Sequence, residues 1–219
     1  MKKLIIANWK CNPATLKEAQ ELFSEIKENI INKDIVICPP SIFLSSLICD
    51  GINFGAQNCF WEESGAYTGE VSPQMIKSVG CNYVIIGHSE RRTIFNESND
   101  EIRSKIKQAK KAGLIPIVCI GESKDQNTFE IIEEQIKDIE KDIILAYEPL
   151  WAIGTGENAS IDKVREVREF LKDRKVLYGG SVNSQNSKEY LEITDGLLIG
   201  GASLNAKEFI KISNILCDI

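Results

Sequence analysis

The chain has 219 residues, 43% of them hydrophobic and 26% charged, with a net charge of -6 at pH 7. That length fits a single domain, residues 1–219, with a sizeable core. The acidic balance, with basic pairs scattered along the chain, excludes a nucleic-acid footprint, and no apolar run approaches the ~20 residues of a membrane span.

The opening "MKKLIIANWK" has too short an apolar run for the about 7–15 residues of a signal-peptide core, so it reads as a first strand, at 4–7, in a cytoplasmic protein. A helix over 16–30 follows. It opens on the capping box Thr15-x-x-Glu18 and puts Leu16, Ala19, Leu22, Phe23, Ile26 and Ile30 on one face. Further apolar runs lie at 35–38, 52–55, 83–86, 115–120, 143–147, 176–178 and 197–199. They are continuous rather than alternating, the pattern of strands buried on both faces of a parallel sheet. Between them, Ser72-Pro73 caps a helix carrying Met75, Ile76 and Val79, and Ser98-x-x-Glu101 caps one carrying Ile102, Ile106 and Ala109 that Gly113 stops. Ser160 precedes Ile161, Val164, Val167, Phe170 and Leu171. Weaker helical patterns cover 42–47, 129–139, 186–191 and 206–215. Eight strands alternating with about eight helices, roughly 27 residues per unit, imply an α/β fold closed into a (β/α)8 barrel; an open doubly wound sheet is the competitor.

Seven cysteines without a CxxC argue against a disulfide framework or a zinc site, and His88 is the only histidine. In a barrel of this kind, active sites sit where the strands end. There the sequence places Asn8-Trp9-Lys10, His88-Ser89-Glu90, Cys119, Glu148, Gly179-Gly180-Ser181 and Gly200-Gly201. Each has a plain structural reading: a satisfied histidine, a turn glutamate before Pro149, a solvated lysine, glycine turns. Their convergence on one rim favours a site. Glycine pairs after the last two strands let backbone N–H groups approach a phosphate. Glu148 has the chemistry of a general base. A proton taken from beside a carbonyl leaves an enediolate, which His88 as donor, Lys10 as cation and Asn8 could stabilise. The "SERRTIF" segment could set a helix N-terminus against His88 and favour the neutral ring. This chemistry needs no metal and no redox cofactor, and neither GxGxxG nor GxxxxGK[ST] occurs.

The motifs "NWK" at 8–10, "GAQN" at 55–58, "GAYTGEVSPQM" at 65–75, "VIIGHSERR" at 84–92, "CIGE" at 119–122, "AYEPLWAIGTG" at 146–156, "YGGSV" at 178–182 and "LLIGGASL" at 197–204 resemble the triosephosphate isomerase family from end to end and in order. Triosephosphate isomerases are the reference case for a lid closing over an acid–base site, so that mechanism is the family's own. The resemblance implies that Glu148 moves a proton between C1 and C2 of dihydroxyacetone phosphate and glyceraldehyde 3-phosphate. His88 is the implied neutral electrophile. Lys10 and Asn8 stabilise the enediolate and help bind the substrate, and Glu90 partners Lys10. Backbone N–H groups of Gly154, Ser181 and Gly201, with Gly200 beside them, are implied to hold the phosphate. Pro149, Leu150, Trp151, Ala152, Ile153, Gly154, Thr155 and Gly156 form the implied lid. The loop around Thr68 resembles one that inserts into a second subunit, so a homodimer is implied, with a small phosphorylated triose as substrate and neither nucleic acid nor membrane as partner.

The chain is shorter than is typical of that family, and the cuts fall in the outer helices. Cys11 stands where Met is common. The far lid hinge reads Glu157-Asn158-Ala159 where Lys-Thr-Ala is common, which reverses a charge near an anion-binding loop. Two rivals remain: another phosphate-binding barrel isomerase, and a catalytically silent barrel. A Schiff-base aldolase needs a lysine at the strand end where Glu148 stands.

Overall fold

The computed structural model describes residues 3–31, 34–152 and 156–217. Eight parallel strands follow one another round a closed barrel: β1 Leu4–Asn8, β2 Ile35–Cys38, β3 Asn53–Ala56, β4 Tyr83–Ile86, β5 Ile115–Ile120, β6 Ile144–Tyr147, β7 Val176–Tyr178 and β8 Gly196–Ile199. The first strand closes on the last, with Ile5 opposite Leu197 and Ala7 opposite Ile199. The open-sheet alternative is therefore excluded.

Successive side chains on a strand point to opposite faces. Leu4 and Ile6 fill the barrel interior with Val36, Cys38, Ile85, Ile117 and Leu177. Ile5 and Ala7 face outward and pack with helix residues such as Phe23, Ile26, Phe209 and Ile212. Both layers are apolar, which is why the strands read as unbroken hydrophobic runs.

The helices are α1 Leu16–Asn29, α2 Leu44–Leu47, α3 Pro73–Ser78, α4 Ser89–Ile94, α5 Asn99–Lys111, α6 Thr128–Ile136, α7 Ile161–Phe170, α8 Ser187–Ile193 and α9 Ala206–Asn214. Both capping boxes form, Thr15 with Glu18 and Ser98 with Glu101. Ser72 accepts from the Met75 amide with Pro73 in the first turn, and Ser160 accepts from Lys163. Several apolar residues of the expected helices are less buried than their spacing suggests, Leu16 at the first turn of α1 among them at 39% exposed. Met75 is 53% exposed and Val79 38%, because α3 is too short to present two full turns to the barrel. Phe170 is 44% exposed and packs across the surface on Phe129, with ring centroids 5.1 Å apart. The outer layer is thinnest between β2 and β3, where α2 is a single turn after a 3-10 turn at Ser41–Phe43.

Because all strands run the same way, their C-terminal ends share one rim. No described helix is long and apolar enough to cross a membrane.

Candidate active site

The rim encloses a cleft of about 240 Å³ lined by Asn8, Lys10, His88, Glu148, Gly156, Ser181, Gly200 and Gly201, among others. Five strand ends thus bring their polar residues to one place.

Lys10 leaves β1 in a left-handed conformation, φ 53°. Its N–H donates to Asn8 Oδ1 at 3.0 Å, and its carbonyl accepts from Gln57 Nε2 at 2.8 Å. The same amide donates to the Cys38 carbonyl at 2.9 Å, tying the turn to β2. Holding an uncommon backbone conformation needs such supports. Nζ of Lys10 donates to Glu90 Oε1 at 2.7 Å, and a quarter of the lysine side chain stays exposed toward the cleft.

His88 caps α4, and its Nδ1 accepts the N–H of Glu90 at 3.2 Å. A nitrogen that accepts cannot also carry the proton, so a neutral ring has its hydrogen on Nε2. Glu90 Oε2 lies 3.6 Å from Nδ1, too far to compete with that N–H. Nε2 faces Glu148, with Oε1 at 3.3 Å.

Glu148 follows β6 and is only 2% exposed. Its N–H donates to the Ile120 carbonyl at 2.7 Å, which extends the β5–β6 pairing by one residue. Its Oε2 accepts the N–H of Ser89 at 3.3 Å. The Cys119 thiol also hydrogen-bonds this carboxylate. Burial first, and then the charge and hydrogen bond of Glu148, hold that thiol well above its ordinary pKa, so it stays an S–H donor. Gly179 is required beside it: a Cβ there would come within 2.8 Å of Glu148 Cγ.

The near end of the proposed lid is anchored. After Pro149, the 3-10 turn Leu150–Ala152 is held by Leu150 N–H to the Glu122 carbonyl at 2.9 Å and by Ser181 Oγ to the Ala152 carbonyl at 2.7 Å. Ile153, Gly154 and Thr155 lie outside the described residues. Beyond them Gly156, φ 80°, lines the cleft. The far hinge is clamped at Ala159, whose N–H donates to Tyr178 Oη at 3.0 Å and whose carbonyl accepts from Tyr190 Oη at 2.6 Å; the two rings stack 4.2 Å apart.

A larger groove of about 540 Å³ adjoins the cleft, lined by Lys10, Gln57, Glu70, His88, Glu90 and Phe95, among others. Thr68 does not line the cleft; it is exposed on the loop between β3 and α3.

The family model of triosephosphate isomerase matches residues 3–216. The chain belongs to the triosephosphate isomerase family. It is similar to the triosephosphate isomerases of Aquifex aeolicus (43% identical, spanning 97% of this chain and 98% of the relative), Alkaliphilus oremlandii (41%, 98% and 100%) and Dehalococcoides mccartyi (45%, 97% and 96%). It is an isomerase that interconverts dihydroxyacetone phosphate and glyceraldehyde 3-phosphate, a step of glycolysis. The alignment with the Aquifex protein takes 244 positions against 219 residues here, so the relative carries stretches with no counterpart in this chain.

Two rim residues escaped the reading of single positions. Gln57 entered it only within a motif, and Ser89 only as a member of the rim segment His88-Ser89-Glu90, with no role of its own. Both act through amide N–H groups, which leave no compositional signal; the one available cue was their position at the ends of β3 and β4.

Proposed function

We propose that Glu148 is the base of this isomerase and that His88, Lys10 and Asn8 stabilise the charge it creates. One carboxylate oxygen removes the C1 proton of dihydroxyacetone phosphate, and electrons flow to the C2 carbonyl oxygen. Nε2–H of His88 and Nζ of Lys10 meet that charge, with Asn8 holding the Lys10 turn. His88 Nε2 gives its proton to O2 and takes one from O1, and the same carboxyl group returns the carbon proton to C2, which leaves C1 as the aldehyde. Glu90 orients Lys10 and donates its amide to His88. Fixed donors aimed at a developing oxyanion lower its barrier without reorganisation at the moment of reaction. The observation carrying this reading is the 3.3 Å approach of a 2% exposed Glu148 to Nε2 of a histidine whose Nδ1 is occupied as an acceptor.

Ser181, Gly200 and Gly201 line the cleft where backbone N–H groups suit a phosphate. The lid from Pro149 to Gly156 closes over the cleft and excludes water from the enediolate. The whole chain works as one barrel domain, without a cofactor.

The chain acts as a homodimer. The groove beside Lys10 is bordered by Phe95, 64% exposed, and is open to the protruding loop around Thr68 of a second copy. Cys11, Cys38, Cys49, Cys59, Cys81 and Cys119 are all free thiols, which suits a reducing cytoplasm.

A coupled isomerase assay on Glu148→Gln tests the base. Loss of a positioned base costs about 10²–10⁴ in rate or more. A variant as fast as the unmodified enzyme refutes the assignment.

A further inference from the structure

Between β4 and β5 the strand ladder runs out at Ile86 opposite Val118. The next pair, Gly87 and Cys119, is joined differently. Arg92, one turn into α4, folds back beneath the rim. Its Nε donates to the Gly87 carbonyl at 2.8 Å, and its Nη2 donates to the Cys119 carbonyl at 3.1 Å. Its Nη1 donates to Oδ1 of Asn99, the first residue of α5, at 2.7 Å. All three acceptors are neutral oxygens. One planar guanidinium thus replaces the ladder just where Gly87, φ 68°, turns out of the sheet. The glycine is part of the device, since a Cβ there would sit 3.2 Å from Nη2 and 2.7 Å from Ile102 Cδ1.

Both bridged peptides lead directly into the chemistry. Gly87 precedes His88, and Cys119 donates its thiol hydrogen to Glu148. Gly87, Arg92, Cys119, Gly121, Glu148 and Leu150 together line a small apolar recess behind the base. We infer that Arg92 is a positioning residue: by bridging the ends of β4 and β5 it sets the spacing between His88 and Glu148 and the seat of the Glu148 carboxylate. Its guanidinium is suited to this, because a rigid fork can hold three acceptors in fixed directions where a lysine holds one point. Burial draws its pKa below the ordinary value, while the charges of Cys119, Glu97 and Glu148 oppose that shift.

The inference rests on the roles proposed for Glu148 and His88, and its test separates the two. Arg92→Met keeps the stem and removes every donor; Arg92→Lys keeps the charge and one donor direction. The quantities compared are kcat and KM per folded enzyme, with the folded fraction read from near-ultraviolet circular dichroism, and the primary deuterium isotope effect on kcat with substrate deuterated at the transferred position. A misplaced base slows proton transfer without touching the phosphate wall. Arg92→Met therefore loses on the order of 10² in kcat, with KM changed by less than about threefold and a larger isotope effect, and Arg92→Lys falls between it and the unmodified enzyme. A merely structural arginine changes the folded fraction and leaves the isotope effect alone. Unchanged kcat per folded enzyme together with an unchanged isotope effect overturns the inference. Glu148→Gln is measured alongside: if it is active, the reading of the base fails, and if it is inactive while Arg92→Met matches the unmodified enzyme, only the positioning role fails.

Discussion

A carboxylate that is 2% exposed needs donors, and Glu148 finds them on two other strand ends: the Ser89 N–H and His88 Nε2 after β4, and the Cys119 thiol in β5. The same economy holds at Lys10, where Asn8 and Gln57 support the backbone and Glu90 directs the ammonium. Glu157 concerns the lid rather than the base. It is exposed, directly beyond Gly156 on the far side of the lid, and adds a negative charge near the wall proposed for a phosphate dianion. Its effect is small because the charge is solvated and screened, below about 1 kcal/mol. Glu157→Lys is expected to lower KM, or raise kcat/KM, by no more than about fivefold. Steady-state kinetics at low ionic strength reads this, and identical kcat and KM in the two proteins would sink the idea.

Among the elements, the two capping boxes carry the clearest local energetics. In α5, Ser98 accepts the Glu101 N–H at 3.2 Å, and Glu101 Oε2 accepts the Ser98 N–H at 2.7 Å. Removing the side chain in Ser98→Ala costs roughly 1 kcal/mol of stability. The hydrogen bonds from the Ser98 backbone and side chain hold the Glu101 carboxyl below its ordinary pKa. A group whose pKa is depressed by folding contributes its stability above its unfolded pKa, about 4.3 for glutamate, and loses it as the pH falls through the folded value. Urea unfolding should show Ser98→Ala less stable than the unmodified chain at pH 7, with the gap narrowing below about pH 4. A gap that stays constant or widens on acidification contradicts the capping account. The one-turn α2, the exposed Met75 of α3 and the exposed Val79 that follows it mark where the outer layer is thin.

For the whole molecule, the open groove beside Lys10 decides what to expect of assembly. Ile42, Ile94 and Phe95 are 78%, 66% and 64% exposed. Phe95 lines the groove, and large apolar side chains left in solvent mark an interaction surface. Light scattering at micromolar concentration is expected to give twice the chain mass of 24.5 kDa. Phe95→Glu, which puts a charge on that border, is expected to shift the mass toward one chain and to lower kcat, because Lys10 and His88 line the groove's floor. A mass near 24.5 kDa for the unmodified chain refutes the dimer.

At that same scale, eight unbroken apolar runs and the caps between them were enough to read a parallel sheet alternating with helices, because burial on both faces and helix starts are local, compositional signals. The rim residues were also legible, since parallel strands put every C-terminal end on one side and the candidate residues follow directly after the runs. Closure was not decided locally: the pairing of β1 with β8 joins residues nearly the whole chain apart, and no local pattern distinguishes it from an open sheet. Nor were the contacts that aim the site. The left-handed Lys10, the tautomer of His88 and the Arg92 bridge each depend on an N–H or carbonyl brought from another strand end. Hydrogen bonds of that kind are made by backbone and amide groups in three dimensions, and composition does not record them.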